Sequence, residues 1–188
     1  LLKPMAEKFR RKTEFQTGVR FSVPALPSNC RSPHSAMAKP SPLNQPQVHG
    51  TALMIGDQGV LLRGPSGAGK SDLALRLIDG GAILVADDRV NLTPAEDAII
   101  MSAPTNLMGK LEIRGLGIVQ IVCAPSAPLA LVCDLVPTAQ IDRFPDVPSK
   151  TVLDQMVPVI EIDSQTQSAA AKVRYALKVA RGAIGLIK

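Results

Sequence analysis

The sequence predicts an α/β fold in which a mixed β-sheet carries a phosphate-binding loop. Three observations predict it. Residues Gly64-Pro65-Ser66-Gly67-Ala68-Gly69-Lys70-Ser71 match G-x-x-x-x-G-K-[ST] at every fixed position. The motif sits between an apolar run, Gly59–Arg63, and a segment, Ser71–Asp79, whose Leu73 and Leu77 and then Ala74 and Ile78 recur four apart on one helical face. On both sides lie short β-rich segments broken by turn residues, some close enough to pair as hairpins, so the sheet cannot be purely parallel.

Taken in chain order, Val48–Ile55 and Gly59–Arg63 are separated by Gly56-Asp57-Gln58, which reads as a hairpin leading into the loop. The helix after the loop is expected to stop at Gly80-Gly81, a pair suited to left-handed dihedrals. Ala82–Ala86 is a buried strand ending at Asp87-Asp88, and Arg89–Thr93 with Ala98–Met101 makes a second hairpin. Further strands are expected near Gly117–Cys123, Leu129–Val136 and Val157–Ile162. Ser164-x-x-Gln167 has the pattern of a capping box for a last helix, with Val173, Leu177, Ala180 and Ile184 on one face. Lys172, Arg174, Lys178 and Arg181 then form its solvated side.

Before these elements, residues 1–47 lack sustained periodicity, and from Val23 they are rich in proline, serine and asparagine. That composition buries too little apolar surface to fold, so 1–47 is expected to be a disordered extension and 48–188 the folded domain. Met37, in Met37-Ala-Lys just ahead of the domain, is the expected natural start.

The net charge of +5 over 188 residues invites a nucleic-acid reading until its position is checked. Residues 1–36 hold seven of the 21 Lys+Arg and two of the 16 Asp+Glu, leaving 14 of each in the remainder. Residues 37–188 are therefore neutral, and at 3% aromatic content the whole chain has few platforms on which bases could stack, so no nucleic-acid partner is expected. No apolar run reaches the roughly 18 positions that span a bilayer, so no membrane partner is expected either. Cys30, Cys123 and Cys133 form no paired framework or C-x-x-C motif, which favours a reducing, cytoplasmic setting.

The loop's chemistry follows from its residues. Its glycines let main-chain N–H groups approach a polyphosphate, the following helix adds positive potential, Lys70 reaches the outer phosphates, and the Ser71 hydroxyl can ligate Mg2+. Asp87 and Asp88 end the strand that follows the loop's helix. One of them can hold the metal, directly or through water, while the other accepts a proton from an attacking hydroxyl. The plainer reading is a pair of turn aspartates capping the next element. In Leu111-Glu-Ile-Arg-Gly-Leu-Gly-Ile118, Glu112 can complete a metal site and Arg114 can offset phosphate charge, although a surface ion pair between strands has the same signature. Arg143 and His49, taken alone, read as structural.

Together, however, Val48-His-Gly-Thr, Gly64–Ser71, Val85-Ala-Asp-Asp88, Glu112-Ile-Arg-Gly-Leu-Gly-Ile118 and Asp142-Arg143 resemble the successive motifs of the HPr kinase/phosphorylase family. The resemblance covers residues 48–145 and implies a phosphate-loop kinase core like that of phosphoenolpyruvate carboxykinase. It implies an ATP- and Mg2+-dependent serine kinase acting on the phosphocarrier HPr or its nitrogen-system relative. In that scheme Asp88 is the proton acceptor, His49, Lys70 and Arg143 are further active-site residues, and Ser71 and Glu112 bind Mg2+. It also implies a homo-oligomer, a hexamer by analogy with long members, and a short form carrying only the kinase domain. Residues 146–156 depart from the basic Gly-Arg-Asn turn that long members carry there, a segment the family associates with phosphorolysis. The alternative is a generic phosphate-loop ATPase or small-molecule kinase.

Overall fold

In β-sheets, a strand buried on both faces must be apolar at every position rather than at alternate ones. Val60-Leu61-Leu62 is such a run, and it lies at the centre of the molecule. The computed structural model describes residues 47–145 and 149–187, all within one compact unit. The expected extension 1–47 and the start at Met37 lie, Gln47 apart, outside the described residues. Gln47 itself opens the first strand and donates its amide to Asn91 Oδ1 at 2.9 Å.

The strands in chain order are β1 Gln47–His49, β2 Thr51–Ile55, β3 Gln58–Arg63, β4 Ile83–Ala86, β5 Arg89–Pro94, β6 Ile99–Ser102, β7 Lys110–Ile113, β8 Gly117–Gln120, β9 Ser126–Leu135, β10 Ser149–Val152 and β11 Gln155–Ile162. The helices are α1 Lys70–Asp79 and α2 Ala169–Ala180. The main sheet runs β1-β5-β6-β9-β3-β2-β4, and β11, with β10 beside it, also pairs with β9. The β3–β9 and β9–β11 pairs are parallel and the other pairs antiparallel, so the sheet is mixed as expected. Strands β7 and β8 form a separate hairpin.

Alternation along β3 and β9 divides the core. Val60, Leu62, Leu131, Cys133 and Leu135 point to one face, where α1 packs with Leu73 and Leu77 and α2 with Val173 and Leu177. Leu61 and Val132 point to the other, against Val90, Leu92, Ile99, Met101, Val157 and Val159. Each large side chain buried in this way contributes on the order of 1.5–3 kcal/mol. With both faces of β3 covered, the loop after it leaves from a rigid strand end.

Both expected hairpins form. β2 and β3 turn tightly at Gly56-Asp57, with Gly56 at φ 65°, and β5 pairs with β6. The expected strand Val48–Ile55 is broken at Gly50, whose N–H donates to Asp88 O at 3.2 Å. Helix α1 ends as expected, although only Gly81 takes the left-handed conformation, at φ 92°.

Three expectations at the C-terminal end need correction. The Ser164–Gln167 capping box does not form: α2 begins at Ala169 behind Ser168, without a side-chain cap, and the Ser164 hydroxyl is used elsewhere. Arg174 is not simply solvated. Its guanidinium donates to Leu77 O at 2.9 Å and Gly80 O at 2.8 Å, so a cation closes the carbonyl end of α1, where the helix dipole favours positive charge. Ile184 lies beyond the end of α2.

Gly59 tests the packing of β3. A Cβ there would come within 2.5 Å of both Met101 Cε and the carbonyl oxygen of Pro128. Gly59→Ala is therefore expected to lower unfolding free energy by about 1–3 kcal/mol in urea titrations. An unchanged midpoint would show that β3 and β9 are not packed this closely.

Candidate active site

Three glycines shape the loop between β3 and α1. Gly67 and Gly69 have φ of 81° and 82°, a region costly for residues with a Cβ, and Gly69 is the residue on which α1 starts. At Gly64 a Cβ would meet Leu135 and Ala68 at 3.1 and 3.2 Å. The Lys70 ammonium folds back over the loop and donates to Gly64 O at 2.8 Å and Pro65 O at 3.0 Å. Burial lowers its pKa from the usual lysine value, against the opposing pull of Asp87 and Asp88.

In front of the loop lies a cleft of about 490 Å3. Its walls include Ser66, Gly67, Gly69, Lys70, Ser71 and Asp72 from the loop and α1, His49, Asp87 and Asp88 from the sheet, and Glu112, Ile113 and Arg114 from the hairpin. His49, Asp87, Asp88 and Glu112, expected on either side of the loop, are thus brought to one place, with Arg114 among them. Gly64, Pro65 and Ala68 belong to the loop without lining the cleft, and Gln165, which the sequence did not single out, does line it.

The two aspartates are held differently. Asp87 is buried: Oδ1 accepts from the Thr51 hydroxyl at 2.7 Å and Oδ2 from the Glu112 N–H at 3.2 Å. It therefore ties β2, the end of β4 and β7 together. Asp88 is exposed and left-handed, at φ 66°, inside a three-residue turn closed by Arg89 N–H to Asp87 O at 2.8 Å. Aspartate tolerates this region better than most side chains, and such conformations collect at functional sites. His49 Nδ1 lies 3.2 Å from Asp88 Oδ1 and 3.0 Å from the Asp88 carbonyl oxygen, and Arg89 Nε lies 3.8 Å from Oδ2. An exposed carboxylate, flanked by His49 and Arg89, thereby lines the cleft.

Arg143 does not line this cleft. It borders a second groove of about 430 Å3 with Ile160, Ile162, Tyr175 and Ile187, its guanidinium 5.4 Å from the centre of the Phe144 ring.

Sequence reasoning also missed the brace behind the loop. Ser164, buried in the β11–α2 turn, donates its hydroxyl to Ala68 O at 2.7 Å and accepts from Gln165 Nε2 at 3.2 Å. From α1, Arg76 donates to the carbonyls of Ser164 and Thr166 and pairs with Asp72. The Thr138 hydroxyl and the Gln165 N–H hold the Asp163 carboxyl below its usual pKa and pin the start of the turn. The only sequence signal was a serine and glutamines in a polar turn, and that pattern also fits a helix cap.

Removal of the Thr51 hydroxyl leaves one oxygen of a buried carboxylate without its donor. Thr51→Val is expected to cost about 1.5–3 kcal/mol in chemical denaturation. Parent-like stability would mean that the Thr51–Asp87 bond does not hold the site.

Comparison with known proteins fits this arrangement. Residues 42–174 match the HPr Serine kinase C-terminal domain family. The HPr kinase/phosphorylase of Limosilactobacillus reuteri is 34% identical over 131 residues, 63% of this chain and 41% of that protein. Its counterpart in Geobacillus thermodenitrificans is 42% identical over 108 residues, 52% of this chain and 35% of that protein. The chain thus spans well under half the length of these curated relatives. The solved Hpr(Ser) kinase/phosphatase of Coxiella burnetii superposes with a TM-score of 0.66 at 25% identity, covering 73% of this chain and 92% of that one. With the family match extending from the first strand into the last helix, the chain belongs to the HPr serine kinase family through that family's C-terminal domain.

Proposed function

We propose that residues 48–188 form a cytoplasmic protein serine kinase domain, with a core related to phosphoenolpyruvate carboxykinase, that uses ATP and Mg2+ to phosphorylate HPr or its nitrogen-system relative. The observation that carries this reading is the meeting of Lys70, Ser71, Asp88 and Glu112 in one cleft, with Asp88 exposed and oriented by His49. Loop amides and Lys70 hold the phosphates of the donor, and Asp88 takes the proton from the acceptor serine as its oxygen bonds to the γ-phosphorus and the bond to the β-phosphate oxygen breaks. Phosphorolysis belongs to the same proposal: inorganic phosphate takes the phosphoryl group from the phosphoserine and leaves as pyrophosphate, while Asp88 returns the proton to the serine oxygen. The homo-oligomeric state, hexameric by analogy, belongs to the same proposal.

The donor set suits magnesium. Among the described residues no group of three or more His, Cys, Asp or Glu could hold an ion by itself. Magnesium bound with a nucleotide takes most of its oxygens from phosphates and water and needs only one or two from protein. Ser71 and Glu112 supply these, and Asp87, whose oxygens accept from Thr51 and Glu112, acts through water. When bound, the ion neutralises charge on the transferred phosphoryl group.

The test is to incubate the protein with ATP, magnesium and HPr and measure the carrier's mass. An added phosphate on a serine is expected, whereas ATP hydrolysis without labelled carrier would make this a generic ATPase. Asp88→Asn is expected to keep ATP affinity within about threefold while transfer falls about a hundredfold or more. Transfer at the parent rate would remove Asp88 as the base.

A further inference from the structure

The serine behind the phosphate loop does more than fasten a turn. A peptide unit is planar, and in its trans form the C=O and N–H point in opposite directions. Whatever fixes the carbonyl of Ala68 therefore also aims the N–H of Gly69. The Ser164 hydroxyl holds that carbonyl at 2.7 Å from the buried side of the loop, and Ser164 is 3% exposed. Gly69, by contrast, lines the cleft. The Gly69 N–H is thus turned toward the space in front of the loop, on the residue where α1 begins.

Three further observations point the same way. The Gln165 amide donates to Ser164 Oγ at 3.2 Å, which occupies a lone pair and leaves the hydroxyl proton for Ala68 O. A Cβ on Gly69 would come within 2.6 Å of Ser164 Oγ, so loop and turn fit closely at this point. Arg76 holds the turn from α1 itself, by donating to the carbonyls of Ser164 and Thr166. The loop's helix and the loop's brace are therefore tied to each other directly.

We propose that Ser164 is a positioning residue for nucleotide binding: through Ala68 O it presets the Gly69 N–H as a donor to a bound polyphosphate, with Gln165 orienting its hydroxyl. This rests on the reading that the cleft binds nucleotide phosphates. A preset donor spares the loop the cost of ordering when the anion arrives. A charged acceptor makes such a hydrogen bond stronger than a neutral one.

Calorimetric titration of Mg-ATP and of magnesium tripolyphosphate into the parent, Ser164→Ala and Gln165→Ala tests it, with apo thermal midpoints recorded alongside. Ser164→Ala is expected to weaken both ligands by a similar factor, about tenfold, because the loss lies in the phosphate cradle and not at the base or ribose. Gln165 is exposed, so Gln165→Ala keeps the test open if the serine variant fails to fold; about threefold weaker binding of both ligands is expected. A lower midpoint with parent-like affinity for both ligands would overturn the proposal, since that is the behaviour of a residue that only supports the turn. A parent that binds neither ligand would overturn the reading of the cleft, and the proposal with it.

Discussion

The site depends on one buried carboxylate. Asp87 accepts hydrogen bonds from the Thr51 hydroxyl and the Glu112 N–H, and with these two contacts it fastens β2, the end of β4 and the first strand of the β7–β8 hairpin to one another. A carboxylate removed from water must be hydrogen-bonded or it destabilises the fold, so this junction is strongly constrained. The residue on each side inherits the constraint. Asp88 is forced into a tight turn that presents its carboxylate to solvent, and Glu112 is brought to the edge of the same cleft. Adjacent aspartates are thus held differently: one is buried in the architecture and the other is exposed at the cleft.

The loop between β3 and α1 faces this junction from the other wall. Its position is set by β3, which is apolar on both faces and packed in parallel against β9, and by the β11–α2 turn that grips the loop from behind. The loop itself needs glycine at Gly67 and Gly69 because their backbone conformations suit few other residues. Lys70 bridges the two walls electrostatically: burial disfavours its charge while Asp87 and Asp88 favour it. An ammonium already partly desolvated interacts more strongly with an incoming anion than one fully in water.

Much of this was legible in the sequence where the determinants are local. The glycine-rich loop, the turn of the first hairpin, the second hairpin and the helix after the loop depend on residues within a few positions of one another, and each lies where its pattern places it. The contacts that complete the site join distant positions and leave little trace in a linear pattern. Thr51 meets Asp87 across 36 residues, Ser164 meets Ala68 across 96, and Arg174 meets Leu77 across 97. Ser164 misled for a physical reason: a serine followed three residues later by glutamine suits a helix cap, and only the tertiary fold shows that its hydroxyl serves another loop. Family resemblance places Arg143 in the site, whereas it borders a separate groove beside Phe144. Strand β10 went unseen because Ser149–Val152 is largely exposed and has no apolar face to mark it.

The central claim is that main-chain amides of the loop, rather than any other surface, receive the phosphates of a nucleotide. Amide chemical shifts of isotopically labelled protein during a Mg-ATP titration address it most directly. Large, saturable shifts are expected at Gly67, Gly69, Lys70 and Ser71, with smaller ones at Asp88 and Glu112. A saturating titration that leaves the loop amides unmoved, or that moves those around Arg143 and Tyr175 instead, would contradict the claim.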